Sequence, residues 1–159
     1  MNWLPPAGAA LAVFAGAGWW LRRRYLTVTV DGPSMLPAYR PGERLLVRRA
    51  TSGAALRPGQ VVVVGGQPGW VVKRVAAVPG DPVPGDVAPA LRGDQSTRVP
   101  AGRLVLLGDN PGQSYDSRQL GYFRTDRLLG VVLRRMPLGR PGPPVPNPAP
   151  PTGRQAAAA

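Results

Sequence analysis

The chain opens on an uncharged run and then breaks into short hydrophobic segments. Trp3 to Leu21 holds no charged side chain and is about as long as a helix that crosses a bilayer. Trp3, Trp19 and Trp20 stand where interfacial anchors would, and Arg22, Arg23 and Arg24 end the run. A cleaved signal peptide carries its basic cluster ahead of the apolar stretch, and here the cluster follows it. The run is therefore expected to be a single-pass membrane anchor, weakened but not excluded by Pro5, Pro6 and its glycines.

From Tyr25 the period shortens. β-Branched and leucine-rich runs recur at Leu26 to Val30, Glu43 to Arg48, Gln60 to Val64, Trp70 to Val78, Arg103 to Leu107 and Leu128 to Arg135. Turn chemistry punctuates them: Pro41-Gly42 and Pro58-Gly59 each precede a run, and Pro79-Gly80-Asp81 ends one. This spacing predicts a compact, mostly β domain. Asp81 to Gly102 lacks hydrophobic periodicity and reads as a loop or small hairpin. After Met136 come eight of the twenty-one prolines and a terminal run of four alanines, expected to be disordered or polyproline-like. The divisions expected are an anchor over 1–24, a β domain over 25–136 and a tail over 137–159.

Composition narrows the chemistry. There is no cysteine, hence no disulfide framework and no thiolate nucleophile or zinc ligand. Histidine is also absent, which removes the commonest general base at neutral pH and the commonest metal ligand. No metal or cofactor is expected. The formal charge of +12 would suit a polyanionic partner. The arginines are scattered, however, with no aromatic–basic stacking pattern, so nucleic acid is not expected as a partner. Nineteen of the twenty basic residues are arginine, and Lys73 is the one lysine. Arginine keeps its proton in proteins, whereas a buried lysine can lose it.

Three segments carry candidate chemistry. Ser34 lies in Asp31-Gly32-Pro33-Ser34-Met35-Leu36-Pro37, a loop stiffened by two prolines, as a nucleophile held in one attack geometry requires. By itself this segment fits an ordinary turn serine at least as well. Without histidine the remaining way to activate a serine is a neutral lysine. Lys73 sits in the apolar run Trp70 to Val78, where desolvation would lower its pKa, and strict alternation puts it on one face with Val71 and Val75. A surface lysine on an edge strand is the open alternative. The third segment, Leu107 to Gly121, is a polar loop in which Ser114 would orient a neutral lysine while Asp116 and Arg118 brace the loop as an ion pair. A long hairpin connection fits it equally well.

Taken together, the segments resemble type I signal peptidases, the S26 serine proteases that remove signal peptides with a Ser–Lys dyad. Ser34-Met35-Leu36-Pro37 is similar to the family's S-M-x-P box. Pro58-Gly59-Gln60-Val61 is similar to a strand box in which Gln60 replaces the usual acid. Lys73 to Asp81 is similar to its K-R box, and Gly108-Asp109-Asn110 through Arg118 to its G-D-N-x-x-x-S-x-D-S-R box. The similarity runs from about Val28 to Val132.

The resemblance implies an antiparallel signal-peptidase-like β core behind one N-terminal transmembrane helix. It makes Ser34 the nucleophile, Lys73 the base and Ser114 the lysine-orienting serine. Asp116, Arg118, Arg74, Asp109 and Asn110 are supporting residues, and Met35 and the Trp70 strand line shallow substrate pockets. It also implies signal- or leader-peptide-bearing substrates cut after small residues such as alanine, and a membrane lipid environment. The family's earlier oxyanion hydroxyl is missing because Gly32 occupies that place, which leaves the Ser34 N–H.

The family's domain works outside the cytoplasm, yet Arg22 to Arg24 after the span favour the opposite side. A cytoplasm-facing propeptide maturation protease, a repressor-type autoprotease and an inert basic β binding module are the other readings.

Overall fold

The computed structural model describes residues 7–50, 55–66, 69–91 and 96–137. Seven strands form one antiparallel sheet: β1 (Tyr25–Thr29), β2 (Arg44–Arg49), β3 (Val61–Gly65), β4 (Trp70–Ala77), β5 (Arg103–Leu107), β6 (Phe123–Arg124) and β7 (Leu128–Arg135). Their spatial order is β1-β2-β7-β3-β4-β5-β6. A helix, α1 (Ala7–Arg24), leads directly into β1, and a single helical turn, α2 (Ser117–Leu120), lies between β5 and β6. The mostly β expectation holds, and each of the six anticipated runs became a strand with ends within one residue of those expected.

The central position of β3 explains its unbroken valines. Val61 and Val63 join a cluster with Val30, Met35, Leu45, Val47 and Val72, while Val62 and Val64 join another with Val75, Leu104, Leu106 and Phe123. A strand covered on both faces needs apolar side chains at every position rather than at alternate ones. Register shifts in β2–β7, β3–β7 and β4–β5 interrupt the ladders, and such bulges bend and twist a sheet.

Asp81 to Gly102 is more ordered than its composition suggests. Pro82 bridges Arg98, a 3₁₀ turn spans Ala88–Leu91, and Val87 and Val99 are buried with Ala77 and Val105 in a third cluster. Two valines supply the anchoring, too sparse a pattern to register as periodicity.

The expected anchor is described only in part. Trp3, Pro5 and Pro6 lie outside the described residues, and α1 incorporates Arg22, Arg23 and Arg24 as its last turn. No helix among the described residues is long and apolar enough to cross a membrane. The expected tail lies outside the described residues from Leu138 onward.

Candidate active site

β4 lies between β3 and β5 in the sheet, so Lys73 is not on an edge. It pairs with Val62 and shares a face with Val75, and it is only 3% exposed. Burial pushes its amine below the ordinary lysine range; the Asp116 charge opposes that shift and Arg118 assists it. Its one hydrogen bond among the described residues is to Ser114 Oγ at 2.8 Å. An ammonium would need three acceptors, whereas a neutral amine has two N–H groups and a lone pair, so the surroundings of Lys73 suit the uncharged form better.

Ser114 is itself fixed from behind. Its hydroxyl donates to Asp116 Oδ2 at 2.6 Å, so its oxygen faces Lys73 as an acceptor. That direction matters: the amine spends an N–H on Ser114 and keeps its lone pair.

Asp116 is fully buried and receives five donors. Oδ2 accepts from the Gly108 N–H, the Ser114 hydroxyl and Arg118 Nη2, while Oδ1 accepts from the Arg118 backbone N–H and Nε. Burial alone would raise its pKa, but the Arg118, Gly108 and Ser114 hydrogen bonds outweigh that and hold it at about 2. Asp116 is also the N-cap of α2, and Gln119 Oε1 accepts the Asp116 backbone N–H at 3.0 Å. The sequence SRQL is too short to be helical unaided, and this reciprocal cap is what makes one turn of it.

The loop carrying Ser34 is tied down at both ends. The Val30 N–H donates to the Glu43 carbonyl and the Gly42 N–H to the Val30 carbonyl, closing the 31–42 excursion at its base. At its tip the Asn110 backbone N–H donates to the Ser34 carbonyl at 3.0 Å, and Asn110 Nδ2 donates to the Pro33 carbonyl at 3.2 Å. Ser34 is half-buried. Its hydroxyl makes no hydrogen bond among the described residues, to Lys73 or to any other group, and its backbone N–H is likewise unengaged there.

Gly108 shows how closely the two serines approach. A Cβ placed on it would lie 2.1 Å from Ser114 Oγ and 2.7 Å from the Ser34 carbonyl oxygen. The loop of Ser34 and the hydroxyl that holds Lys73 therefore flank one glycine, whose missing side chain is the space they use. In the sequence Gly108 is marked as a positioning residue only by its place just ahead of Asp109-Asn110.

Arg74, the next residue on β4, faces the other way. It forms a bidentate pair with Asp109, with Nε–Oδ1 at 2.8 Å and Nη2–Oδ2 at 2.6 Å, and it also donates to the Gly59 carbonyl at 2.8 Å. β4 is thus braced to the turn that holds Asn110. All the expected site residues converge here except Met35. Met35 is 0% exposed and packs with Val30, Leu45 and Val47, so it supports the Ser34 loop from beneath and presents no surface to a substrate. Trp70, at the start of the same strand as Lys73, is exposed.

Among the described residues no group of three or more histidine, cysteine or acidic side chains is arranged to hold a metal ion.

Comparison with known proteins gives one answer. The signal peptidase family, peptidase S26, matches residues 3–86 and 85–136. Signal peptidase I T of Bacillus subtilis is 29% identical over 132 residues, covering 64% of this chain and 68% of the relative. The mitochondrial inner membrane protease subunit 1 of Schizosaccharomyces pombe is 32% identical over 112 residues, 67% of this chain and 69% of the relative. A crystal structure of a signal peptidase I from Enterococcus faecalis aligns with 50% of this chain and 97% of its own at 21% identity, with a TM-score of 0.37.

Proposed function

The chain belongs to the peptidase S26 family of signal peptidases and is a serine endopeptidase, and from that premise we propose that it removes signal or leader peptides with Ser34 as nucleophile and Lys73 as general base. The observation that carries the reading is a lone lysine, buried and short of acceptors, held by Ser114 beside the loop of Ser34.

Neutral Lys73 takes the Ser34 proton as Oγ attacks the scissile carbonyl, and then delivers it to the leaving amine. The product of that half is an acyl-enzyme, with the peptide's new carboxyl-terminal residue esterified to Ser34. Water activated by the same amine then releases the acyl group. The unengaged Ser34 N–H is available to the oxyanion. Ser34 and Lys73 share no hydrogen bond in the free chain, and catalytic hydrogen bonds of this kind commonly tighten only once substrate is bound.

Ser114 orients the base, Asp116 and Arg118 orient Ser114, and Asn110 with the Arg74–Asp109 pair holds the loop and strand in register. Small residues such as alanine are the proposed preference before the cut, and α1 is proposed to hold the chain at a membrane. Trp19 and Trp20, more than half exposed, together with Arg22 to Arg24 suit that placement.

Purified full-length chain incubated with a secretory precursor should release a product with one new N-terminus, found by N-terminal sequencing. The Ser34→Ala variant should release none. Equal cleavage by the variant would remove Ser34 from the reaction.

A further inference from the structure

One cleft among the described residues lies away from the loop of Ser34. It measures about 530 Å³ and is lined by Trp20, Arg23 and Arg24 from α1 and by Arg48 and Arg49 from β2. The β1–β2 register explains the assembly. Tyr25 pairs with Arg48, so the last turn of α1 arrives beside the end of β2, whereas Ser34 follows Thr29 at the opposite end of the same hairpin.

Four guanidiniums share this cleft, and no carboxylate among the described residues lines it. None of the four appears in an ion pair among the described residues, although four other arginines of the domain do. Arg23 stacks on Trp19 at 4.0 Å and Arg24 on Trp20 at 5.1 Å, which holds two of the cations against indole faces. Like charges gathered around one space repel, and an anion between them relieves that repulsion. Guanidinium forks match phosphate oxygens in geometry as well as in charge. An exposed tryptophan pair on the same helix end adds the amphipathic surface found where a lipid interface meets protein.

We propose that this arginine cleft is a second, non-catalytic site that binds the phosphate of an anionic phospholipid headgroup. The choice of lipid over free phosphate rests on the membrane placement proposed above, while the phosphate chemistry stands on the cleft alone.

The test is flotation of the full-length chain with vesicles of phosphatidylcholine, with and without phosphatidylglycerol. The wild-type chain should bind phosphatidylglycerol vesicles more tightly, and Arg48→Gln with Arg49→Gln should weaken that preference roughly tenfold or more. Removing the same charge at Arg57 and Arg103, outside the cleft, should change it little. Equal losses from the two double variants would reduce the effect to bulk charge and overturn the site. Binding to both vesicle types without preference would overturn the site but leave the membrane placement standing, and binding to neither would end both. Release from phosphatidylglycerol vesicles by inorganic phosphate, but not by chloride at matched ionic strength, would assign the cleft to free phosphate and overturn the lipid.

Discussion

Lys73 and Ser114 stand 41 residues apart in the chain and meet in a buried hydrogen bond of 2.8 Å. Because the Ser114 proton is committed to Asp116, the bond has one sense only, from amine to hydroxyl. A lysine held this way can act as a base if it is uncharged, and four predictions follow its connections outward.

Cleavage should rise with pH through the titration of Lys73. Burial lowers that pKa from the ordinary 10.5, so the acid limb of kcat/KM should lie below that value, with activity lost as the pH falls through it. Lys73→Arg keeps a cation but cannot shed its proton, and should be as inactive as Ser34→Ala. An acid limb at the ordinary lysine value, or an active arginine variant, would rule out the neutral-amine role.

Ser114→Ala should leave the lysine present but unaimed. We expect kcat to fall about a hundredfold with KM little changed, the size of effect that a misplaced group produces. Steady-state kinetics on a peptide substrate separates the two constants. A change confined to KM would make Ser114 a binding residue instead.

Asp116→Asn should cost stability in a pH-dependent way. The folded-state pKa of about 2 lies below the ordinary 3.8, so the stabilisation is present above 3.8 and is lost as the pH falls toward 2. Its full size is about 2 kcal/mol. Thermal melts of the wild-type chain should therefore decline over that acid window, and the asparagine variant should start lower and decline less. Parallel curves would show that this carboxyl does not carry the linkage.

Gly108→Ala should be among the most damaging of small substitutions. The new methyl group would meet the Ser114 side chain and the Ser34 carbonyl, and neither can withdraw without moving the site. Overpacking of this kind costs about 1–3 kcal/mol. Activity should fall further than stability, as chemical denaturation and peptide cleavage measured together would reveal. A fully active variant would mean that the loop of Ser34 is free to shift.

Strand positions were legible because turn residues flank several of the apolar runs, and β3 and β4 carry β-branched side chains that suit a pleated, buried surface. The strand β6 escaped notice because two residues, Phe123 and Arg124, have no period to read. The Ser114 to Arg118 segment was recognisable by its order of residue types, yet its central relation was not. That Asp116 would be buried with five donors depends on the backbone path from Gly108 to Arg118, which the order of residue types does not reveal. The resemblance placed Met35 at a substrate pocket, but a matching residue type beside Ser34 does not tell which way the side chain points on a turn, and here it points into the core. In α1 the apolar run was real, but run length alone did not reveal that the helix would take in the three arginines after it.

The double duty of Asp116 has a consequence for how the enzyme comes to life. One carboxylate both starts the SRQL turn and sets the direction of the Ser114 hydroxyl, so no half-assembled protein can possess an aimed lysine without that turn. On the proposed mechanism, proteolytic competence should thus appear only once this four-residue coil has closed, and a nascent chain without it would be spared an active protease in its midst.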